Sequence, residues 1–267
     1  MDEAAPGADL FAGTALDGPL ERRLAYARTY DPPSRRFLSA TELGPGWRCL
    51  EVDAGAGAGE LAAWLAERVA PAGSVLVLAS EPGQAAPNFE TRSASVLTAA
   101  LEPASFDLIH ERAALIHVPQ FVEVLAALLR ALRPGGWLVL EEPDFSAARA
   151  FTGSFGQRQG FMNVNRAREA LFRADRTDFG FGARLPGLLQ ARGIEVHAIE
   201  NDAPLVRGGA PQAAHVAAEV AHRAEAYRGT GLVSPQDLDD YLSFAADPAC
   251  WAIPHATIRA AGRKPAP

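Results

Sequence analysis

The chain has 267 residues, 48% hydrophobic and 21% charged, the balance of a globular protein large enough for one or two domains. A net charge of −7 and the absence of a basic run exclude a phosphate-backbone ligand, so no nucleic-acid partner is expected. Two cysteines, Cys49 and Cys250, exclude a disulfide scaffold and a paired-cysteine metal knuckle, and no metal ligand set is expected. No apolar run is long enough to span a bilayer, and the acidic start MDEAAPGADL lacks a basic segment followed by an apolar one. The expectation is a cytoplasmic protein without a membrane partner.

In chain order, residues 19–40 carry apolar and aromatic positions near helical spacing, interrupted by Asp31-Pro32-Pro33. That pattern predicts a helix, a break and a second short helix. The turn GPGW precedes RCLEV (48–52), a buried strand that runs into the glycine-rich DAGAGAG (53–59). ELAAWLAERVA (60–70) is helical, with Leu61, Trp64, Leu65 and Val69 on one face. SVLVLA (74–79) is the continuous apolar run of a strand covered on both sides. NFETR (88–92) and FDLIHE (106–111) read as further strands, FVEVLAALLRAL (121–132) as an amphipathic helix stopped by Arg133-Pro134-Gly135-Gly136, and WLVLEE (137–142) as the next strand. Strand–helix alternation with apolar strands predicts an α/β fold with a parallel, doubly wound sheet. Beyond residue 143 the chain is mostly helical, with a helix at 185–193, a strand at 194–200, and a helix through 211–228. Another helix spans 234–247, with Ser234 at its N-cap and Pro235 at N1, and a last strand falls within 251–265.

The strand–glycine–helix passage CLEVDAGAGAGELAAWLAERV puts backbone N–H groups at a helix N-terminus, where a ligand can approach closely. FDLIHERAALIHVP, LLRALRPGGWLVLEEPD and GARLPGLLQARGIEVHAIE follow it in order. On these segments the chain resembles the class I S-adenosylmethionine-dependent methyltransferases, most closely the bacterial small-molecule type, over residues 20–265. The resemblance implies a Rossmann-like seven-stranded sheet with a reversed last hairpin and helices capping the substrate side. It divides the chain into a flexible tail (1–18), an N-terminal helical cap (19–43) and a cofactor-binding core (44–145). A helical lid (146–180) and the remaining sheet with a helical insertion (181–267) complete it. The implied cofactor is S-adenosyl-L-methionine, the implied partner a small-molecule substrate, and the implied assembly a homodimer.

Four departures from the family pattern surround the cofactor. Glu51 and Asp53 compete for the position of the motif acid. With Asp53 there, Gly55, Gly57 and Gly59 fall into the family spacing. The family's ribose-binding acid aligns with Ala79, leaving Ser80 and Glu81 as the nearest polar residues. Its adenine-binding acid aligns with Ser95, which in its own right reads equally as a turn residue. The stretch SEPGQAAPN between Ala79 and Phe89 is short for a parallel crossover with a helix.

Candidate catalytic residues are His117, which matches a family histidine, and His110 and Glu142 at the ends of strands on the ligand edge of the sheet. Glu111 joins the cofactor-binding set. Tyr26, Tyr30, Arg112, Asp144, Phe155 and Met162 are the candidate substrate contacts. Each also has a plain structural reading as packing, pairing or capping. His197, His215, His222 and His255 show no ligand spacing and receive no role. The function expected is methyl transfer to O, N or C of a small, apolar specialised metabolite. The alternative is a chain of the same fold that has lost the cofactor and catalyses a cyclisation or isomerisation.

Overall fold

A computed structural model describes residues 18–53, 60–79 and 87–266. The N-terminal tail to residue 17, the glycines Gly55, Gly57 and Gly59, and Ser80 and Glu81 lie outside the described residues.

The first half alternates as its apolar pattern dictates. Strand β1 (Arg48–Asp53) is followed by helix α2 (Glu60–Val69), then β2 (Ser74–Ala79), β3 (Phe89–Ser93) and β4 (Phe106–Arg112). Helix α3 (Phe121–Ala131) leads into the long β5 (Leu132–Asp144). The RPGG segment expected as a stop is absorbed into β5: Leu132 pairs with Phe106, a register shift follows, and Trp137 pairs with Leu108. Beyond α5 (Leu185–Gln190), β7 (Glu195–Asp202) and β10 (Ala256–Arg263) complete a seven-stranded sheet of order β3-β2-β1-β4-β5-β10-β7. β10 runs antiparallel to both of its neighbours, and the strands from β3 to β5 are parallel. This is the Rossmann-like doubly wound sheet with a reversed last hairpin.

Both faces are covered because alternate residues of each strand are apolar. Leu50, Leu76, Ile109 and Leu138 pack under Leu125 of α3 and Leu189 of α5. Cys49, Val75, Leu108 and Val139 pack under Leu61 and Leu65 of α2 and Leu38 of the N-terminal helix α1 (Gly18–Leu38).

α1 corrects the reading of two helices. It runs unbroken with Pro32 and Pro33 inside it. Two prolines remove helical N–H donors, but the neighbouring residues are anchored far away in sequence. Asp31 Oδ1 accepts from Arg112 Nη1 at 2.9 Å, and Ser34 Oγ donates to Glu141 Oε2 at 2.9 Å. Tertiary bonding holds the helical path through a sequence that on its own would break it.

A second layer of helices lies over the carboxyl ends of the strands. It contains α4 (Phe155–Ala174), α6 (Pro211–His222), α7 (Ala224–Gly229) and α8 (Pro235–Ala246). The single helix expected through 211–228 is two, joined at Arg223. Phe161 and Val164, Val220, Tyr227, and Tyr241 and Phe244 make a separate core there. Ser234 and Pro235 start α8 as expected, with Asp237 closing a capping box; Ser154 and Gln157 do the same for α4. A small sheet of β6 (Arg149–Ala150), β9 (Trp251–Ile253) and β8 (Val206–Arg207) ties this layer together. Gly208 follows β8, and a Cβ there would collide with the Asp247 carbonyl oxygen. Gly208→Ala is expected to cost about 3 kcal/mol, the upper end for overpacking, read as a lower urea midpoint. An unchanged midpoint would show that the turn can move aside. No helix of the described residues is long and apolar enough to cross a membrane.

Candidate active site

β1 and β4 are adjacent in the sheet but separated in sequence by β2 and β3, so their connections leave in opposite directions. The crevice at such a switch point is where open α/β sheets take ligands. Glu51 and Asp53 both belong to β1, with Glu51 paired in register to His110 and Asp53 to Arg112.

Glu51 is committed. His110 is fully buried, its Nδ1 2.6 Å from Glu51 Oε2 and its Nε2 3.0 Å from Glu141 Oε1. Two carboxylates facing two ring nitrogens require both nitrogens to donate. Burial pushes the imidazole down, but the Glu51 and Glu141 charges more than offset it and raise it to about 10. His110 is therefore an imidazolium. Glu141 is buried too, yet the His110 bond and the Arg259 guanidinium hold its carboxyl down to about 2. Arg259 Nε donates to Glu141 Oε2 at 2.9 Å, and its Nη1 reaches Glu200 and Asp202 at 2.7 and 3.0 Å. Arg112 bonds Asp31 and Ser34 and lies 4.9 Å over the Tyr26 ring.

Residues one step along each strand face the α3 side. Glu111 Oε1 accepts from the backbone N–H groups of Ala114 and Leu115 at 2.7 and 3.1 Å. Glu142 Oε1 accepts from those of Leu115 and Ile116 at 2.7 and 3.3 Å. The two buried carboxyls perturb each other, and the Oε2 of each has no hydrogen-bond partner among the described residues. Burial pushes Glu111 up to about 7, and burial with the Glu111 charge pushes Glu142 well above the usual carboxylate range. As a pair they keep a proton to higher pH than free carboxylates do. Neither lines the cavity described next.

That cavity, about 740 Å³ including its mouth, lies between α1, α4 and α6 and the carboxyl ends of β4 and β5. Tyr26, Tyr30, Arg112 and His117 of the sequence candidates line it, as does Glu141. His117 lies 6.0 Å from the Phe172 ring, and burial, with Arg223 nearby, pushes its imidazole down to about 3. Of the others, Asp144 caps a turn, accepting from the Ser146 N–H at 2.9 Å and the Ser146 hydroxyl at 2.5 Å. Ser95 is exposed in a turn with Thr98. Phe155 and Met162 stand exposed on α4 and border a separate groove.

Sequence reasoning missed most of the cavity wall. His255 and His215 line it, together with Arg168, Glu219, Phe145 and Phe172. Tyr30 Oη and His255 Nε2 are 3.1 Å apart. Burial pushes His215 down to about 4 against the opposing charge of Glu219. Arg168 bonds Glu219 at 3.1 Å and lies 5.1 Å over the Phe145 ring. One signal was available for His255. It directly precedes a reversed last strand, whose start lies at the carboxyl end of β5.

Most residues that would hold a cofactor of the adenosyl type lie outside the described residues. β1 ends at Asp53 and α2 begins at Glu60, and the glycine-rich segment 54–59 between them lies outside the described residues. At the end of β2 the strand closes on Ala79, which offers a ribose no carboxylate.

Residues 52–140 match the pattern of the methyltransferase-domain family. Methyltransferase str2 of Strobilurus tenacellus is 32% identical over 177 residues, covering 63% of this chain and 61% of that protein. Methyltransferase str3 of the same organism is 31% identical over 161 residues, covering 58% of this chain and 55% of that protein. The chain thus spans less than two thirds of the length of either relative. Among solved structures, the [4+2]-cyclase SpnF superposes with a TM-score of 0.51 over 87% of this chain and 82% of that one, at 17% identity, a likeness of fold. The sheet order is that of the Rossmann-like fold, and over residues 52–140 the chain is similar to methyltransferase domains.

Proposed function

We propose that the chain transfers a methyl group from S-adenosylmethionine to a small, largely apolar acceptor seated in the cavity between α1, α4 and α6. The observation that carries this reading is the placement of that cavity. It opens at the end of β4, whose neighbour β1 runs into the glycine-rich segment. When bound, the cofactor supplies an electrophilic methyl group on a sulfonium. The chain's own part is to hold the acceptor and keep water away. Tyr26, Tyr30, Phe145 and Phe172 supply flat apolar walls. His117, His215 and His255 are all held neutral at physiological pH, so they offer hydrogen bonds without adding positive charge beside a sulfonium. With a net charge of −7, the chain is better suited to a small molecule than to a nucleic acid.

Calorimetric titration with S-adenosylmethionine and S-adenosylhomocysteine tests this, after mass spectrometry for carried-over ligand. Micromolar binding is expected, and Gly57→Val should abolish it without unfolding the chain. No binding at millimolar ligand would overturn the reading. A second reading would then stand, cofactor-free cyclisation or isomerisation in the same cavity. What favours it is Ala79 at the ribose position, and its own test is turnover by protein freed of any adenosyl ligand.

A further inference from the structure

Along the outer face of α4, Phe155, Arg158, Met162 and Arg166 recur at spacings of three and four, so they share one stripe of the helix. Phe155 is 77% exposed and Met162 is 44% exposed. The stripe and the segment 145–150 bound a groove of about 1060 Å³ including its open side, with Phe161 and Phe179 also in its walls. Arg149 lines it from that segment. Phe145 lines both this groove and the cavity between α1, α4 and α6, so the two share a wall. Arg149, Arg158 and Arg166 are all exposed, and none of them has an ion pair among the described residues. Arg158 donates to the Gly153 carbonyl, and Arg149 lies 5.5 Å over the Phe151 ring. The one carboxylate among the described residues of the groove wall, Glu169, is taken by Arg173 at 2.9 Å.

We propose that this groove is a binding site for an amphipathic organic acid, an aromatic or alkyl body carrying one carboxylate. The apolar body lies against Phe155 and Met162, and the carboxylate is held by the arginines. Two features call for that occupant together. Large apolar side chains exposed side by side and rimmed by polar ones mark a place that something covers. A local surplus of three positive charges in a chain of net charge −7 runs against the rest of the molecule and draws an anion. Guanidinium groups favour a carboxylate, whose two oxygens match their fork of donors. A concave, largely apolar groove of this size with a few charged groups suits a small molecule. The site is separate from the cavity assigned to the methyl acceptor and does not depend on that reading.

Met162 reports on the groove directly, because the chain has two methionines and the other is Met1. Protein labelled with 13C at the methionine methyl groups gives two signals, which Met162→Leu assigns. The probe is 2-naphthoate, compared with 2-naphthalenemethanol, which keeps the rings and lacks the charge. Titration with the acid should move the Met162 signal to saturation and not that of Met1. The acid should bind about tenfold more tightly than the alcohol, the worth of one charge-assisted hydrogen bond. That difference should shrink as salt is raised, and Arg149→Glu combined with Arg166→Glu should remove it. A Met162 signal that the acid leaves in place, or equal affinities for acid and alcohol, would overturn the proposal in the wild-type protein alone. A Met162 signal that moves on simple dilution, with a dimer dissociating in sedimentation, would also overturn it and make a second copy of this chain the occupant. None of these readings needs S-adenosylmethionine, so the methyl-transfer reading can fail while this site stands, and the reverse.

Discussion

His110→Ala is expected to lower stability by about 3–5 kcal/mol, the cost of stripping a buried charge of its partner. For a chain of this size that is a fall in Tm of about 10 °C. The variant leaves two buried carboxylates facing an emptied space. Glu141 keeps Arg259 and Ser34, but Glu51 loses the hydrogen bond to its Oε2, while its Oε1 has no partner among the described residues. Replacing Glu51 and His110 together by apolar residues should recover much of the loss, because the desolvation of the pair disappears with it. The wild-type pH profile carries the same information. A histidine raised from 6.5 to about 10 adds stability that is whole below 6.5 and vanishes as pH climbs through about 10. Thermal melts of wild type and variant between pH 6 and 10 check both points. A Tm unmoved by His110→Ala would mean that the imidazole is neutral and the pair of carboxylates is not ionised.

Glu142→Gln should act in the opposite sense above neutral pH. Glu111 is pushed from 4.5 up to about 7 and Glu142 higher still, so the folded state holds protons that the unfolded chain releases. A raised carboxyl favours the folded state at low pH and loses that advantage as pH rises through its folded value. The wild type therefore weakens from about pH 5 upward, by about 1.4 kcal/mol for each tenfold difference in proton affinity between the folded and unfolded chain. Glutamine keeps the shape, accepts from the Leu115 N–H and stays neutral at every pH. Its melts should match the wild type near pH 5 and exceed it at pH 8 by a margin on the order of 2 kcal/mol. Parallel profiles would show that the two carboxyls do not keep a proton as a pair.

The sheet was legible because its strands are short apolar runs separated by turn signals, and the start of α8 because Ser234 and Pro235 carry their own chemistry. The faces were not. In WLVLEE both alternating sets are apolar up to the two glutamates, so nothing local says that Glu141 faces the cavity and Glu142 faces α3. The path of α1 was hidden for another reason. The bonds that carry it past Pro32 and Pro33 join it to residues 81 and 107 positions away. His215 and His255 reach the cavity from α6 and from the start of β10, elements brought together only by the completed fold. The cofactor readings on Gly55, Gly57, Gly59, Ser80 and Glu81 fall outside the described residues.

Ser34 carries a consequence for engineering. Its hydroxyl lies 2.9 Å from both the Tyr30 carbonyl and Glu141 Oε2, and 3.1 Å from Arg112 Nη1, so one small side chain clasps α1 to two strands at once. A helix fastened by directional bonds has only one seat. Grafting the first helix of a relative onto this chain would succeed only if a serine or threonine arrived at the clasp with an acid three residues before it. A graft matched in apolar character alone would leave Arg112 and Glu141 facing each other without their go-between, and the helix over the cavity would settle in many positions rather than one.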